Sequence, residues 1–102
     1  MTGIAVVYFP HTTAERGVPM IVSKEGCTLT ADIHGMYAAD AKKALERLIS
    51  SADKRITEIV VIHGYSGGKA LSDMVRKRLS HPRIVRKILS MNQGETLLMI
   101  ED

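Results

Sequence analysis

The chain has 102 residues, enough for one small domain that buries about two-thirds of the surface of its unfolded chain. Its apolar share of 45% and charged share of 25% are ordinary for a globular protein and argue against the disordered and fibrous classes. The net charge of +3 permits a polyanionic partner without requiring one. No apolar run approaches the ~20 residues of a membrane span, so we expect a soluble, cytoplasmic protein with no membrane partner.

Cys27 is the only cysteine of the chain. No intramolecular disulfide and no cysteine zinc site can therefore form, which suits a reducing compartment. A free cysteine most often packs as a small apolar side chain, so we expect Cys27 to be buried.

Residues 1–27 differ in character from the rest and are predicted to be an N-terminal extension. Residues 4–9 have the composition of a strand that ends before Pro10, and residues 18–22 could form a second short strand. The polar residues 23–26 predict a turn. The extension could form a hairpin at the edge of the main sheet, or it could be a mobile arm. A strand there could also pair between two chains and make a homodimer.

The remaining residues alternate between strand and helix patterns. The run Ile59–Ile62 is apolar throughout, which predicts a strand buried on both faces. The predicted elements are strand 28–33, helix 37–52, strand 57–62, a helix after the glycines that ends before Pro82, and strands 84–89 and 96–100 around a turn at 92–94. A β-α-β-α-β-β order predicts an α/β fold, with a mixed, mainly four-stranded sheet backed by two helices.

Asp32-Ile33-His34-Gly35 is the first group of residues that could carry chemistry. Residues two apart on a strand point to the same face, so Asp32 and His34 should lie together. A carboxylate beside an imidazole can orient it, share acid–base work with it, or bind a divalent metal ion. Alternatively, Asp32 bonds the turn and His34 only ends the strand.

His63 to Gly68 forms the second group, a glycine-rich turn between a strand and a helix. Such a turn presents backbone N–H groups and the positive end of a helix dipole to an anion. The spacing fits neither a Walker A loop nor G-x-G-x-x-G. The His34 and His63 steps should lie side by side at the carboxyl ends of two parallel strands, where ligands bind in α/β folds. The alternative is that the glycines only serve a tight turn.

A basic stretch is the third group, because no acidic residue occurs between Asp73 and Glu95. Clustered cations are typical of proteins that bind a phosphate backbone, although they also occur on solvated helix faces. Tyr65 could stack on an exposed base or pack on Tyr37 or Met36. The basic residues in the stretch are Arg76, Lys77, Arg78, Arg83, Arg86 and Lys87.

Three short motifs together resemble the Smr domain, the small MutS-related domain. They are Asp32-Ile33-His34-Gly35-Met36, Val61-Ile62-His63-Gly64 and His81-Pro82-Arg83, and the resemblance covers about residues 28–102. It implies a two-layer α/β sandwich related to the C-terminal domain of a bacterial translation initiation factor. It also implies binding of DNA or RNA and, as in several members, nicking or single-strand endonuclease activity.

The resemblance also assigns roles to residues. It implies catalysis at Asp32 and His34, and nucleic-acid binding at His63, Gly64 and Tyr65. Two positions depart from the family pattern: Ala31 replaces a leucine, and Ser66 replaces the second glycine of the His-Gly-x-Gly motif.

The favoured hypothesis is an endonuclease that hydrolyses phosphodiesters. Asp32, His34 and His63 would be catalytic, with magnesium or manganese as a candidate cofactor, although too few carboxylates cluster for a two-metal site. The alternatives are a nucleic-acid-binding module without catalysis and a small phosphate- or nucleotide-binding protein. The expected nucleic-acid contacts are Gly64, Tyr65, Ser66, Gly67, Gly68, Lys69, Arg76, Lys77 and Arg83.

Overall fold

The structure is a computed structural model that describes residues 5–8, 20–64 and 69–101. Its elements follow the predicted order, with two strands from the N-terminal extension added. They are β1 (Ala5–Tyr8), β2 (Met20–Glu25), β3 (Thr28–Asp32), α1 (Ala38–Ser51), β4 (Glu58–Ile62), α2 (Ala70–Asp73), a π-helical segment (Met74–Arg78), β5 (Ile84–Leu89) and β6 (Glu95–Ile100).

The described strands form one mixed sheet in the order β1-β2-β3-β4-β6-β5. β3 and β4 are parallel, as a strand–helix–strand unit predicts, and every other neighbouring pair is antiparallel. The final hairpin places β6, and not β5, beside β4. The α/β fold with a mixed sheet and two helices is confirmed.

The N-terminal extension follows the hairpin alternative, because β1 pairs with β2, which in turn pairs with β3. The predicted turn at 23–26 begins later than expected: Lys24 and Glu25 still pair with β3, and the chain turns at Gly26, where φ is +62°. The neighbouring Cys27 is exposed at this turn, so its predicted burial is wrong. β1 is one of the two edge strands of the described sheet, and a homodimer made through it stays a prediction.

The core lies between the helices and one face of the sheet. Alternate strand residues are buried, and they form one cluster with the apolar faces of α1 and the second helix. Ile59 and Val61 are buried, but Val60 and Ile62 are only half-buried. The prediction of a strand buried on both faces is therefore wrong, because the helical layer covers only one face of the sheet. The buried residues of α1 are the predicted Ala41, Ala44, Leu45, Leu48 and Ile49.

The second helix changes geometry along its length. α2 covers one turn, and the chain then widens into the π-helical segment, where the Leu79 N–H donates to the Met74 carbonyl at 2.7 Å. The Lys87 ammonium donates to the Leu79 carbonyl at 2.5 Å and so caps this end. Within the described residues, no helix has both the length and the apolar character needed to cross a membrane.

Candidate functional site

The carboxyl ends of β3 and β4 form a rim at one edge of the sheet. Asp32 pairs with Ile62, and beyond each strand a glycine takes a left-handed conformation, with φ of +84° at Gly35 and +75° at Gly64. A Cβ atom on Gly64 would lie 3.6 Å from the Cβ atom of His34. The prediction that the two His-Gly steps lie side by side is therefore confirmed.

Asp32 and His34 are in direct contact on this rim. The Asp32 Oδ1 atom lies 2.5 Å from the His34 Nδ1 atom and also accepts the His34 backbone N–H at 3.1 Å. Because a carboxylate oxygen can only accept, Nδ1 carries the hydrogen, and Nε2 has no partner among the described residues. The side chain of His34 is 69% exposed and that of Asp32 is 30% exposed. Asp32 thus orients the imidazole and also closes the turn.

His63 has a very different setting, because it is 4% exposed and both of its ring nitrogens are bonded. Its Nδ1 atom lies 2.9 Å from the Gly64 carbonyl oxygen, and its Nε2 atom lies 2.9 Å from the Thr96 hydroxyl oxygen. The carbonyl only accepts, so Nδ1–H is the donor and Nε2 accepts the hydroxyl hydrogen of Thr96. Neither nitrogen of His63 is left for a substrate in this arrangement.

Thr96 is fully buried and connects His63 to Arg76. The Arg76 Nε–H donates to the Thr96 hydroxyl oxygen at 2.9 Å, and its Nη2 makes longer contacts to the carbonyls of Gln93 and Glu95. One hydrogen-bonded chain therefore runs from Arg76 through Thr96 and His63 to Gly64. This half-buried arginine does not belong to a solvated helix face.

The turn between β5 and β6 also holds the rim. The Gly94 carbonyl oxygen accepts the backbone N–H groups of His63 and Gly64, at 2.9 and 3.0 Å. The end of β4 is thus fixed both by backbone bonds to this turn and by the side-chain bond to β6.

A groove of about 770 Å³ begins at Gly64, beside the Asp32–His34 pair, and extends along the second helix toward residue 93. Three cationic residues, Lys69, Arg76 and Lys77, and the anionic Asp73 line it. The Lys77 side chain is 75% exposed, and its ammonium lies 4.0 Å from the Asp73 carboxylate, a surface pair of little energetic weight. The groove is therefore cationic, with ammonium groups open to solvent.

Arg83 lies far from the groove. Its guanidinium donates to the carbonyls of Ile49 at 2.6 Å and Ala52 at 2.8 Å, and to the Glu101 carbonyl at 2.9 Å. Since α1 starts near the rim and is about 20 Å long, its far end is at the opposite end of the molecule. The structure does not bring Arg83 together with the other predicted contacts.

The predicted basic stretch is thus divided among several tasks. Arg83 caps α1, and Lys87 caps the π-helical segment, where burial lowers the pKa of the Lys87 ammonium. Arg78 and Arg86 are exposed. Tyr65, Ser66, Gly67 and Gly68 lie outside the described residues, and their roles stay predictions.

The described side chains of the rim do not form a preassembled set of metal ligands. Among the described residues, no three side chains of His, Cys, Asp or Glu come close enough to hold an ion. Asp32 and His34 use Oδ1 and Nδ1 on each other, and an imidazole is a poor partner for the magnesium ion, which prefers six oxygen ligands. The described residues thus supply an acid–base pair at the rim.

Thr96 is the residue of this site that the sequence patterns did not single out. It occupies an inward position of β6, in alternation with the buried Leu98 and Ile100. A single hydroxyl at an inward position of an otherwise apolar strand signals a buried hydrogen bond. Its partner His63 lies 33 positions away in the sequence, so the pattern alone does not identify it.

The sheet, the rim and the groove define a two-layer α/β domain with an acid–histidine pair beside a cationic surface. The family model of the Smr domain matches residues 31–96, which contain the rim, the groove and the buried chain from Arg76 to Gly64. The protein belongs to the Smr domain family, a family associated with nucleic-acid binding and nucleases. The comparisons found no matching curated protein and no matching solved structure.

Proposed function

We propose that this protein binds DNA or RNA in the cationic groove and cleaves the phosphodiester backbone at the Asp32–His34 pair. The observation that carries the proposal is the 2.5 Å contact between the two side chains. It leaves the Nε2 atom of His34 without a partner among the described residues, and His34 adjoins Gly64, a residue that lines the cationic groove.

The geometry supports acid–base catalysis by His34. Its Nε2 lone pair takes the proton of the attacking oxygen, which belongs to water or to a sugar hydroxyl. The Asp32 carboxylate keeps the hydrogen on Nδ1 and stabilises the imidazolium that forms, as a carboxylate does behind a histidine base. The imidazolium then returns a proton to the leaving oxygen, so the pair ends in its starting state.

Binding is assigned to the groove beside this pair. Lys69 and Lys77 attract phosphate groups, and Arg76 contributes a partly buried guanidinium. The glycine turn from Gly64 onward would approach the backbone closely, and Tyr65, Ser66, Gly67 and Gly68 stay predicted contacts. Arg83 does not contribute to this surface, because its donors are directed at the end of α1.

A binding module without catalysis is the second candidate. One observation favours it: Asp32 Oδ1 accepts the His34 backbone N–H, a turn-closing role that requires no chemistry. Both candidates use the same groove, so they differ in whether the bound nucleic acid is cleaved and in what the loss of the carboxylate does. Asp32→Asn keeps an acceptor for the turn and removes the charge behind the imidazole.

The test is a cleavage assay at low salt on supercoiled DNA, single-stranded DNA and single-stranded RNA. Each substrate is incubated without metal, with magnesium and with manganese, and its binding is measured in parallel. We expect cleavage by the wild type and a loss of about 100-fold or more in Asp32→Asn, with unchanged affinity. Binding without any cleavage would establish the second candidate, and stabilisation by nucleotides alone would refute both.

A further inference from the structure

We propose that Arg76, Thr96 and His63 act together as a positioning relay that fixes Gly64, and with it the groove, relative to His34. The inference rests on the proposed function, since it concerns how the same site is held for cleavage. It assigns His63 to positioning and gives Thr96 a role that no sequence motif provides.

The direction of each hydrogen bond follows from the chemistry of its members. The Gly64 carbonyl can only accept, so His63 donates from Nδ1; an unprotonated Nε2 can only accept, so the Thr96 hydroxyl donates to it. That hydroxyl retains its lone pairs, and the Arg76 Nε–H donates to one of them at 2.9 Å. The Thr96 hydroxyl and both ring nitrogens of His63 are satisfied, and the hydrogens point the same way along the whole relay.

The relay joins three elements by side-chain hydrogen bonds, in addition to the apolar packing of the core and the backbone bonds of the sheet. Arg76 belongs to the helical layer, Thr96 to β6, and His63 and Gly64 to the end of β4. Gly64 adjoins His34 on one side and lines the groove on the other. A displacement of Gly64 would therefore move bound phosphate relative to the imidazole.

Fold stability alone does not account for the relay. Thr96 and His63 are almost fully buried in a region where an apolar pair could pack, and replacing both members of a buried polar pair by apolar groups is often neutral. Arg76 also lines the groove, and its bonds to described residues use Nε and Nη2 but not Nη1. Arg76 can thus contact phosphate through Nη1 while Nε stays on Thr96.

The first test compares Thr96→Val with Thr96→Ser. Valine keeps the shape and burial of threonine but removes the hydroxyl, so His63 loses its donor and Arg76 loses its acceptor. Since a shift of about 1 Å in a catalytic site can cost about 100-fold in rate, we expect kcat to fall at least tenfold. KM should change little, because the cations of the groove remain, and Thr96→Ser should restore most of the rate.

The second test detects the hydrogen bonds of the relay directly and requires no cleavage reaction. Long-range proton–nitrogen spectra of the imidazole rings in the wild type should show His63 protonated at Nδ1 and unprotonated at Nε2. In Thr96→Val this pattern should change or broaden, and in Thr96→Ser it should persist. A wild-type His63 protonated at Nε2 would overturn the relay.

The two proposals fail in different ways. If the wild type cleaves nothing, the proposed function fails and the relay has no reaction to serve. If the wild type cleaves and Thr96→Val cleaves equally fast, only the relay is overturned. Ile59→Val, a buried substitution of a residue on β4 outside the relay, controls for general loosening and should leave kcat unchanged. Equal losses in the two valine variants would also overturn the relay.

Discussion

Three histidines show how the second ring nitrogen decides what a residue can do. His34 bonds Asp32 through Nδ1 and keeps Nε2 open, whereas His63 has both nitrogens bonded in the interior. His81 accepts the Arg83 backbone N–H at Nδ1, so its Nε2 is the donor toward Ser50 at 2.8 Å. Of the three, only His34 can take a proton from a substrate.

Sequence patterns could place His34 and His63 on one rim but could not separate their roles. Both precede a glycine at the end of a parallel strand, so local spacing makes them equal candidates for catalysis. The difference arises from Thr96, which comes from a strand on the other side of β4. A contact between residues so far apart in sequence leaves no periodic signal.

Gly64→Ala tests the left-handed turn of the rim. At φ of +75° an alanine costs about 1–2 kcal/mol of folding free energy. The added Cβ meets His34 at an ordinary contact distance of 3.6 Å, so strain rather than collision dominates. Urea unfolding should show this loss, and Gly26→Ala, with φ of +62° in open space, should show a similar one. An unchanged midpoint for Gly64→Ala would contradict the turn geometry.

At the scale of elements, some basic side chains bond the carbonyls at helix ends, whereas others line the groove. Arg83 fills the end of α1, and Lys87 fills the end of the π-helical segment. The sequence shows six cations in this stretch but does not show which of them cap helices and which line the groove. Capping depends on which carbonyls the fold brings near each side chain. The spacing of apolar residues likewise does not predict the change from α to π geometry within the second helix.

Arg83→Ala and Lys77→Ala should separate the two uses of basic residues. Loss of Arg83 leaves carbonyls of α1 without charged donors and should cost about 2 kcal/mol, with unchanged affinity for oligonucleotides. Lys77→Ala should leave stability unchanged and weaken binding. Melting curves and fluorescence anisotropy on both variants give the comparison. Weaker binding by Arg83→Ala at full stability would contradict this division.

Asp53, in the loop after α1, makes part of the folding stability depend on pH. Its Oδ1 accepts the Arg55 backbone N–H at 2.9 Å, and this bond holds the pKa of the carboxyl below its ordinary value of 3.8. The folded state therefore binds fewer protons, so the contribution is present above pH 3.8 and is lost as the pH falls through the folded-state pKa. Unfolding curves of the wild type and Asp53→Asn should differ near neutral pH and converge in acid; a constant difference would contradict the assignment.

At the scale of the whole molecule, the mixed sheet and the helical layer followed from the sequence, whereas the surfaces did not. Alternation of apolar residues predicted the strands, because burial of one face of a strand sets a period of two. An apolar stripe with a period of 3.6 predicted the helices. The exposed Cys27 and the half-buried Ile62 differ from prediction for one reason. The exposure of each residue depends on how far the helical layer extends over the sheet, which is a property of the assembled fold.

The net charge of +3 is small, so affinity for nucleic acid should come from the groove and not from the overall field. Binding should weaken steeply with salt, and Lys77→Ala should reduce the slope of log affinity against log salt by about 1. The exposed Arg86 on β5, outside the groove lining, provides the matched control through Arg86→Ala. Equal slopes for the wild type and Lys77→Ala would place the binding surface elsewhere.

Single-turnover cleavage at saturating protein tests the central claim most directly, because it separates the chemical step from binding. The wild type and His34→Gln are compared on the same labelled oligonucleotide, with the dissociation constant measured for each. We predict equal dissociation constants and a rate lower by about 100-fold or more in His34→Gln, since glutamine keeps the polarity of the rim but cannot take up the proton. Equal cleavage rates would show that the Asp32–His34 pair does not carry the reaction.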